Sequence, residues 1–145
     1  DACISRFPRF DVAILAAAVA DYAPEHVSEK KLKKGPGDLL LRLKPTVDIA
    51  AILGKTKTEK QIVAGFALET DNEIENAREK LHSKNLDLIV LNSLRDKDSG
   101  FGHDTNRITI IDSNNIIDKF ELKTKEEAAR DILDKIVAML KNRDL

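Results

Sequence analysis

Three nearly continuous apolar runs constrain the fold of this chain most strongly. They are Phe10–Ala20 (FDVAILAAAVA), Gln61–Ala67 (QIVAGFA) and Leu86–Leu91 (LDLIVL). Runs of this kind are typical of strands that are buried on both faces, as in a parallel sheet. Because parallel neighbours need a crossover connection between them, helices are expected in the intervening segments.

The helix signals fall where these crossovers are needed. Val47–Leu53 is predicted to form a short helix that ends at Gly54. Thr70 and Glu73 match a capping box, in which each side chain satisfies a free backbone amide of the other residue. That box predicts a helix over 71–84. Its predicted core face consists of Ile74, Ala77 and Leu81.

The last third of the chain carries a hairpin signal and one long helix. Ser113-Asn114-Asn115 is a turn sequence between two predicted strands, Arg107–Asp112 and Ile116–Leu122. A second capping box, Thr124 to Glu127, opens a terminal helix. The predicted apolar stripe of that helix is Ala129, Ile132, Leu133, Ile136 and Leu140. The fold class predicted from these elements is α/β, with a Rossmann-like, largely parallel sheet, helices on both faces and the antiparallel hairpin at one edge.

Composition narrows the classes of function. The chain has 145 residues, the size of one domain. It contains 24 Lys and Arg and 25 Asp and Glu, which give a net charge of −1. This charge balance argues against a non-specific nucleic-acid binder. The apolar runs are shorter than a membrane span, and the first twenty residues lack signal-peptide features. Cys3 is the sole cysteine, so no internal disulfide can form. A cytoplasmic location is expected. The chain opens on Asp1 without an initiator Met, which suggests a piece of a longer polypeptide.

Ligands of such sheets bind at the carboxyl ends of the strands. Asp21 directly follows the first predicted strand and is therefore expected at this edge. A segment rich in Gly, Pro and Lys follows over 22–38, read as a mobile loop, and Leu39–Leu43 as a short extended arm. The lysine cluster of that loop, Lys31-Leu32-Lys33-Lys34, suits a polyphosphate ligand, because ammonium groups supply point charges for phosphate oxygens. The alternative is an ordinary solvated charge run.

Lys80 and Lys84 form a second candidate anion site. They are spaced i,i+4 on the predicted helix, and neither has an acid four residues before it, so the pair is mildly destabilising unless it holds an anion. Asp87 is the nearby acid that sequence spacing offers them, and a solvated lysine face is the alternative. Phe66, at the end of the second apolar run, suits either the core or stacking on a base.

Standard cofactor and metal motifs are absent from the sequence. It contains neither G-x-G-x-x-G nor a P-loop. The three histidines, at 26, 82 and 103, do not have the spacing of metal ligands, so no metal site is predicted.

The ordered set of motifs resembles bacterial phosphopantothenoylcysteine synthetase, the ligase half of the bifunctional coenzyme A biosynthesis flavoprotein. The resemblance extends from Phe10 to about Val137. It rests on AAVADY at 17–22, KLKK at 31–34, KPTVDI at 44–49, GFALET at 65–70, the lysines at 80 and 84, NLD at 85–87 and GF at 100–101.

The resemblance implies a CTP-dependent ligase that joins 4′-phosphopantothenate to cysteine through an acyl-cytidylate, with Mg²⁺ bound to the CTP. Lys31 would be the catalytic residue and would reach the phosphates from the loop. The nucleotide-binding residues that it implies are Ala16, Ala17, Asp21, Lys31, Val47, Asp48, Ile49, Ala50, Phe66, Lys80 and Lys84.

The same resemblance implies what lies outside the chain. Residues 1–145 would be a single domain, the carboxyl-terminal portion of the synthetase, without its amino-terminal half and without the decarboxylase domain that binds FMN. The enzyme would be a homodimer that binds neither nucleic acid nor membrane, and this portion alone would be inactive. Two departures from the family pattern are Val47 in place of proline and Leu68 in place of alanine.

Two other functions remain open on the sequence. One is an α/β domain that senses a nucleotide without consuming it. The other is a structural module in which the hairpin at 107–122 pairs two chains.

Overall fold

The three apolar runs become neighbouring strands of one sheet. The computed structural model describes residues 1–93 and 102–143. The strands are β1 Val12–Leu15, β2 Tyr22–Pro24, β3 Leu43–Pro45, β4 Ile62–Glu69, β5 Leu88–Ser93, β6 Thr105–Asn106, β7 Ile108–Asp112, β8 Ile117–Lys119 and β9 Lys123–Thr124. The helices are α1 Ala2–Arg6, α2 Ile49–Thr56, α3 Glu73–Ser83 and α4 Lys125–Arg143, with a short 3-10 helix, Phe7–Arg9, after α1.

The chain divides into two compact units. The larger consists of Asp1–Ala16 and Ile49–Leu145, and the smaller is Ala17–Asp48. The assignment of 1–145 to one synthetase domain stays a prediction. One motif that carries the family resemblance, Gly100-Phe101, lies outside the described residues.

The larger unit is built on a five-stranded mixed sheet in the order β1-β4-β5-β7-β8. β1 pairs with β4 and β4 with β5 in parallel, whereas β5–β7 and β7–β8 are antiparallel. The predicted edge hairpin is confirmed, and its turn contains Asn115 at φ 61°, a left-handed conformation that asparagine tolerates well. The predicted α/β class is therefore confirmed.

Two apolar cores lie on opposite faces of the sheet, because successive strand residues point to opposite sides. One joins Val63, Ala67 and Ile89 of the sheet to Leu53 of α2 and to Ala77 and Leu81 of α3. The other joins Ile62, Leu88 and Ile110 to Ala128, Ile132 and Ile136 of α4. Helices thus cover both faces, as predicted, and α3 uses the predicted core face.

The first strand is shorter and less buried than expected. β1 covers only Val12–Leu15, and Ala16–Ala20 are exposed and outside any strand. β1 is an edge strand of this sheet and pairs with β4. The prediction of a strand over Phe10–Ala20 buried on both faces was wrong at its carboxyl end, because the apolar run continues past the last paired residue, Leu15.

Two helix boundaries also differ from the prediction. α2 begins at Ile49, two residues later than expected, and continues through Gly54 to Thr56. α3 begins at Glu73, and its N-cap is Asn72 in the left-handed conformation (φ 45°). Glu73 is therefore the first residue of the helix instead of its third, so the predicted capping box with Thr70 does not start this helix.

The second capping box is confirmed at the start of α4. The backbone N–H of Glu127 donates to Thr124 Oγ1 at 3.2 Å, and the N–H of Thr124 donates to Glu127 Oε2 at 2.9 Å. The apolar stripe differs from the prediction at two positions: Ala128 is buried in place of Ala129, which is exposed, and Leu133 is also exposed. Ile132, Ile136 and Leu140 face the core as predicted. No helix in the described part of the chain is long and apolar enough to cross a membrane.

The smaller unit is a two-stranded antiparallel ribbon with a long connection. β2 pairs with β3, and Tyr22 lies opposite Pro45. Residues 25–42 form neither helix nor strand. The loop predicted over 22–38 is therefore present except at its start, where Tyr22–Pro24 form β2. The predicted arm Leu39–Leu43 contributes only its last residue to β3.

Candidate functional site

The carboxyl end of β4 projects beyond its neighbour β1. Leu15, the last residue of β1, lies opposite Gly65, so β4 continues through Phe66–Glu69 with no paired strand on that side among the described residues. On the other side, Glu69 lies opposite Ser93 at the end of β5. An open α/β sheet binds its ligands outside this edge, and the larger unit places polar side chains there.

A three-residue polar cluster is located at the end of β4. The Glu69 carboxylate accepts a hydrogen bond from the Lys80 ammonium group through Oε1. Its other oxygen, Oε2, accepts from Asn76 Nδ2 at 3.2 Å, and the same amide group donates to the backbone oxygen of Asp71 at 2.8 Å. The strand end and two successive turns of α3 are thereby joined around one carboxylate. We call Glu69, Asn76 and Lys80 the β4-end cluster.

The interpretation of Lys80 and Lys84 as an uncompensated pair was wrong for Lys80. Its counter-ion is Glu69, eleven residues earlier and on another element, which helical spacing cannot reveal. The acid that the sequence offered, Asp87, instead contacts Lys57 Nζ at 2.6 Å and also Arg143.

Lys84 lies one turn beyond Lys80, at the carboxyl end of α3. It is the C-cap residue, and its backbone carbonyl lies against Gly54 of α2. Because α3 starts after the end of β4 and finishes before β5 begins, its last turn is directed towards the amino ends of the strands. Lys80, one turn earlier, sends its ammonium group back to the carboxyl end.

The end of β5 contributes a second polar contact. Asn106 Nδ2 of β6 donates to Asn92 Oδ1 at 2.9 Å. Asn106 Oδ1 is buried and, among the described residues, has no hydrogen-bond partner. This pair and the β4-end cluster both lie on the edge where a ligand is expected.

Three predicted nucleotide contacts of the larger unit pack against its cores. Phe66 is half-buried against the core beneath α4. Ile49 and Ala50, at the start of α2, are half-buried against the other core. Ala16 is exposed directly after β1.

The remaining predicted residues belong to the smaller unit. Ala17, Asp21, Lys31, Val47 and Asp48 are all exposed. The backbone there is fixed near Asp21: Thr46 donates its N–H to the Asp21 carbonyl at 2.8 Å and its hydroxyl to the Ala20 carbonyl at 2.6 Å. The roles assigned to the site residues by resemblance stay predictions.

Glu69 and Asn76 were missed as candidate site residues by sequence reasoning. A signal existed for Glu69, since it is an acid that ends a buried apolar run, the same pattern that singled out Asp21. Asn76 gave no such signal. Within residues 1–93 and 102–143, no three His, Cys, Asp or Glu side chains are grouped so as to hold a metal ion.

Comparison with known proteins identifies the family. Residues 1–140 match the model of the DNA/pantothenate metabolism flavoprotein C-terminal domain. The chain belongs to this family. One member, the coenzyme A biosynthesis bifunctional protein CoaBC of Bacillus subtilis (strain 168), is 42% identical over 141 residues, which are 97% of this chain and 34% of that protein.

Two further relatives bear on the assignment. A protein from an unknown prokaryotic organism, named cysteine/cysteine sulfinic acid decarboxylase, is 59% identical over 97% of this chain and 39% of its own length. The crystal structure of the C-terminal domain of a CoaBC protein superposes with a TM-score of 0.76 at 38% identity and covers 97% of this chain and 62% of that one. The chain thus spans about a third of the length of the curated relatives it matches.

Proposed function

We propose that this flavoprotein C-terminal domain provides the nucleotide site of a phosphopantothenate–cysteine ligase. The observation that carries the proposal is the family match over residues 1–140, together with relatives named as CoaBC proteins. The β4-end cluster supports it, because a lysine held at the carboxyl end of a parallel strand is suited to a nucleotide phosphate.

The proposed reaction has two steps. A carboxylate oxygen of 4′-phosphopantothenate attacks the α-phosphorus of CTP, and the bond from that phosphorus to the bridging oxygen breaks, which releases pyrophosphate. The amine of cysteine then attacks the acyl carbon of the cytidylate. CMP leaves, the amine loses a proton, and the amide of phosphopantothenoylcysteine remains.

Cationic side chains would stabilise the negative charge that develops on the phosphate oxygens in the first step. Lys31 of the smaller unit is proposed as the catalytic cation and Lys80 and Lys84 as ligands of the triphosphate. Mg²⁺ bound to CTP would supply further charge neutralisation. Its main oxygen ligands would be the phosphates.

The proposed assembly is a homodimer that binds neither nucleic acid nor membrane. Support comes from the smaller unit, where Leu39, Leu40 and Leu41 are all exposed and Leu40 is 92% exposed. Contiguous exposed leucines are typical of a contact surface. Light scattering on the full-length protein tests this proposal, and a mass of one chain would contradict it.

The test of the reaction is product formation by the full-length protein. With 4′-phosphopantothenate, cysteine, Mg²⁺ and CTP, we expect the amide, CMP and pyrophosphate in equal amounts, and much less product when ATP replaces CTP. Hydrolysis of CTP that does not depend on phosphopantothenate would contradict the proposal, and so would nucleotide binding without any turnover, which is the sensor alternative.

A second candidate function comes from the relative at 59% identity, which is named for decarboxylation of cysteine or cysteine sulfinic acid. That chemistry would belong to the part of the protein outside 1–145, where the FMN of the family is also expected. Carbon dioxide release from either amino acid by the full-length protein, without CTP, would favour this function. Release that survives deletion of residues 1–145 would separate it from the ligase.

A further inference from the structure

Glu69 is held from two sides. The Asn76 amide group donates to one of its oxygens and is itself anchored on the Asp71 carbonyl near the start of α3. The other oxygen accepts from Lys80. The carboxylate is therefore fixed to α3 independently of the lysine.

The two charged side chains differ in exposure. The Glu69 side chain is 12% exposed, whereas that of Lys80 is 44% exposed. The lysine is thus the more accessible member of the pair, and the glutamate is the more shielded one. A lysine side chain has many rotamers, and holding it in one geometry before a ligand arrives removes part of the ordering cost of binding.

We propose that Glu69 is a positioning residue of the nucleotide site. Its carboxylate holds the Lys80 ammonium group at the carboxyl end of β4, where that group meets a phosphate of the nucleotide. This inference rests on the proposed function. It adds Glu69, with Asn76 as its anchor, to the residues that the family resemblance implies.

If Glu69 only neutralised Lys80, its removal would change KM for CTP in the opposite direction. A carboxylate that only neutralised Lys80 would compete with the phosphate, so removing it would tighten CTP binding. A carboxylate that positions Lys80 favours binding, so removing it would weaken it. The direction of the change in KM for CTP decides between the two roles.

The experiment is a double-mutant cycle in the full-length enzyme, with pyrophosphate release measured at varied CTP. Glu69→Met keeps the side-chain volume and removes both acceptor oxygens. We expect it to raise KM for CTP about tenfold, within the range for directly coupled residues, with a smaller effect on kcat. In the Lys80→Ala background the same substitution should change KM less than twofold. Glu69→Gln, which keeps one acceptor for Lys80, should recover most of the wild-type KM.

The matched control is Glu75→Ala, which breaks an exposed ion pair with Arg78 on the same helix and should leave KM unchanged. Melting temperatures identify any folding defect, and Glu69→Ala replaces Glu69→Met if the latter is unstable. A lower or unchanged KM overturns the inference, as does an equal effect in both Lys80 backgrounds. Absence of CTP turnover in the wild type overturns the proposed function itself, a different result from an active wild type with an indifferent Glu69.

Discussion

Arg143, in the last turn of α4, forms an ion pair with Asp87. Asp87 lies in the connection between α3 and β5, directly before β5. The same guanidinium group donates to the carbonyl oxygen of Glu59 at 3.0 Å and to that of Gln61. Asp87 is buried, and its second oxygen accepts the backbone N–H of Val63 at 2.8 Å. The end of the chain's longest helix is thereby attached to the amino ends of β4 and β5, opposite the edge where the ligand is expected.

Arg143→Ala should destabilise the fold. It leaves buried Asp87 with Lys57 as its remaining cationic partner and removes two donors from backbone carbonyls, so we expect a loss of about 3 kcal/mol in the free energy of unfolding. Urea denaturation measures it. Arg130→Ala is the control, because its pair with Glu126 is exposed and should contribute less than about 1 kcal/mol. Equal losses for the two variants would contradict this account of Asp87.

Gly54→Ala tests the close approach of α2 to the end of α3. A Cβ at Gly54 would lie 1.9 Å from the backbone oxygen of Lys84, so the backbones must move apart. That cost should exceed the gain of about 1 kcal/mol in helix propensity and give a net destabilisation of about 2 kcal/mol. At Gly35 an added Cβ meets no atom within 4 Å, so Gly35→Ala should change stability by less than about 0.5 kcal/mol. A neutral Gly54→Ala would show that the contact yields easily.

The interactions of Lys135 with two aspartates lead us to expect a loss of stability at alkaline pH. Burial acts to lower the pKa of Lys135, but hydrogen bonds and charges from Asp118 and Asp112 outweigh it and raise the pKa above 10.5. The stabilisation is complete below the unfolded value and disappears as pH rises through the raised folded value. Unfolding free energies compared across pH 9 to about 12 should fall more in the wild type than in Lys135→Met. Lys141→Met, an exposed position on the same helix, should behave like the wild type.

The capping box at the start of α4 predicts the opposite dependence in acid. Hydrogen bonds from the Thr124 side chain and backbone lower the pKa of Glu127 below 4.5. This stabilisation is present above 4.5 and disappears as pH falls through the lower folded value. Replacing Glu127 by Gln removes the titration, so the acid limb of the wild-type stability curve should be steeper than that of the variant. Parallel acid limbs would contradict the box.

The fold was predictable where composition and spacing act locally. Buried runs located β4 and β5, and Thr124 with Glu127 located the start of α4. The choice between Ala128 and Ala129 in the apolar stripe of α4 was not predictable, because both residues continue the spacing of Ile132 and Ile136. Only packing on the sheet selects Ala128. The extent of β1 depends on its pairing with β4, which the apolar residues after Leu15 do not reveal.

The edge that carries the candidate site was predictable from the sequence, but the ion pairing of its side chains was not. The carboxyl-end rule located the edge where Glu69 and Asn92 lie. The partner of Lys80 could not be found from spacing within α3, because Glu69 reaches it from a strand. Short elements such as α1 and β6 also escaped prediction, since two to five residues carry too little periodicity.

The lysine cluster of the smaller unit gives the sharpest functional contrast. Lys31 and Lys34 are both exposed, and neither is in a helix or strand. Replacing either by Gln should change the unfolding free energy by less than about 0.5 kcal/mol, so any loss of activity is not a folding effect. If Lys31 meets charge that develops only in the transition state, Lys31→Gln should lower kcat by a factor of roughly 10²–10³, whereas Lys34→Gln should have little effect.

Pyrophosphate release in the first half-reaction decides whether this chain forms the nucleotide site of a CTP-dependent ligase. The full-length protein is supplied with CTP, Mg²⁺ and 4′-phosphopantothenate, without cysteine. We expect release that requires phosphopantothenate, is nearly lost in Lys31→Gln and persists in Lys34→Gln. Release without phosphopantothenate, or equal small effects of the two substitutions, would contradict the assignment of this chain to the nucleotide site of a CTP-dependent ligase.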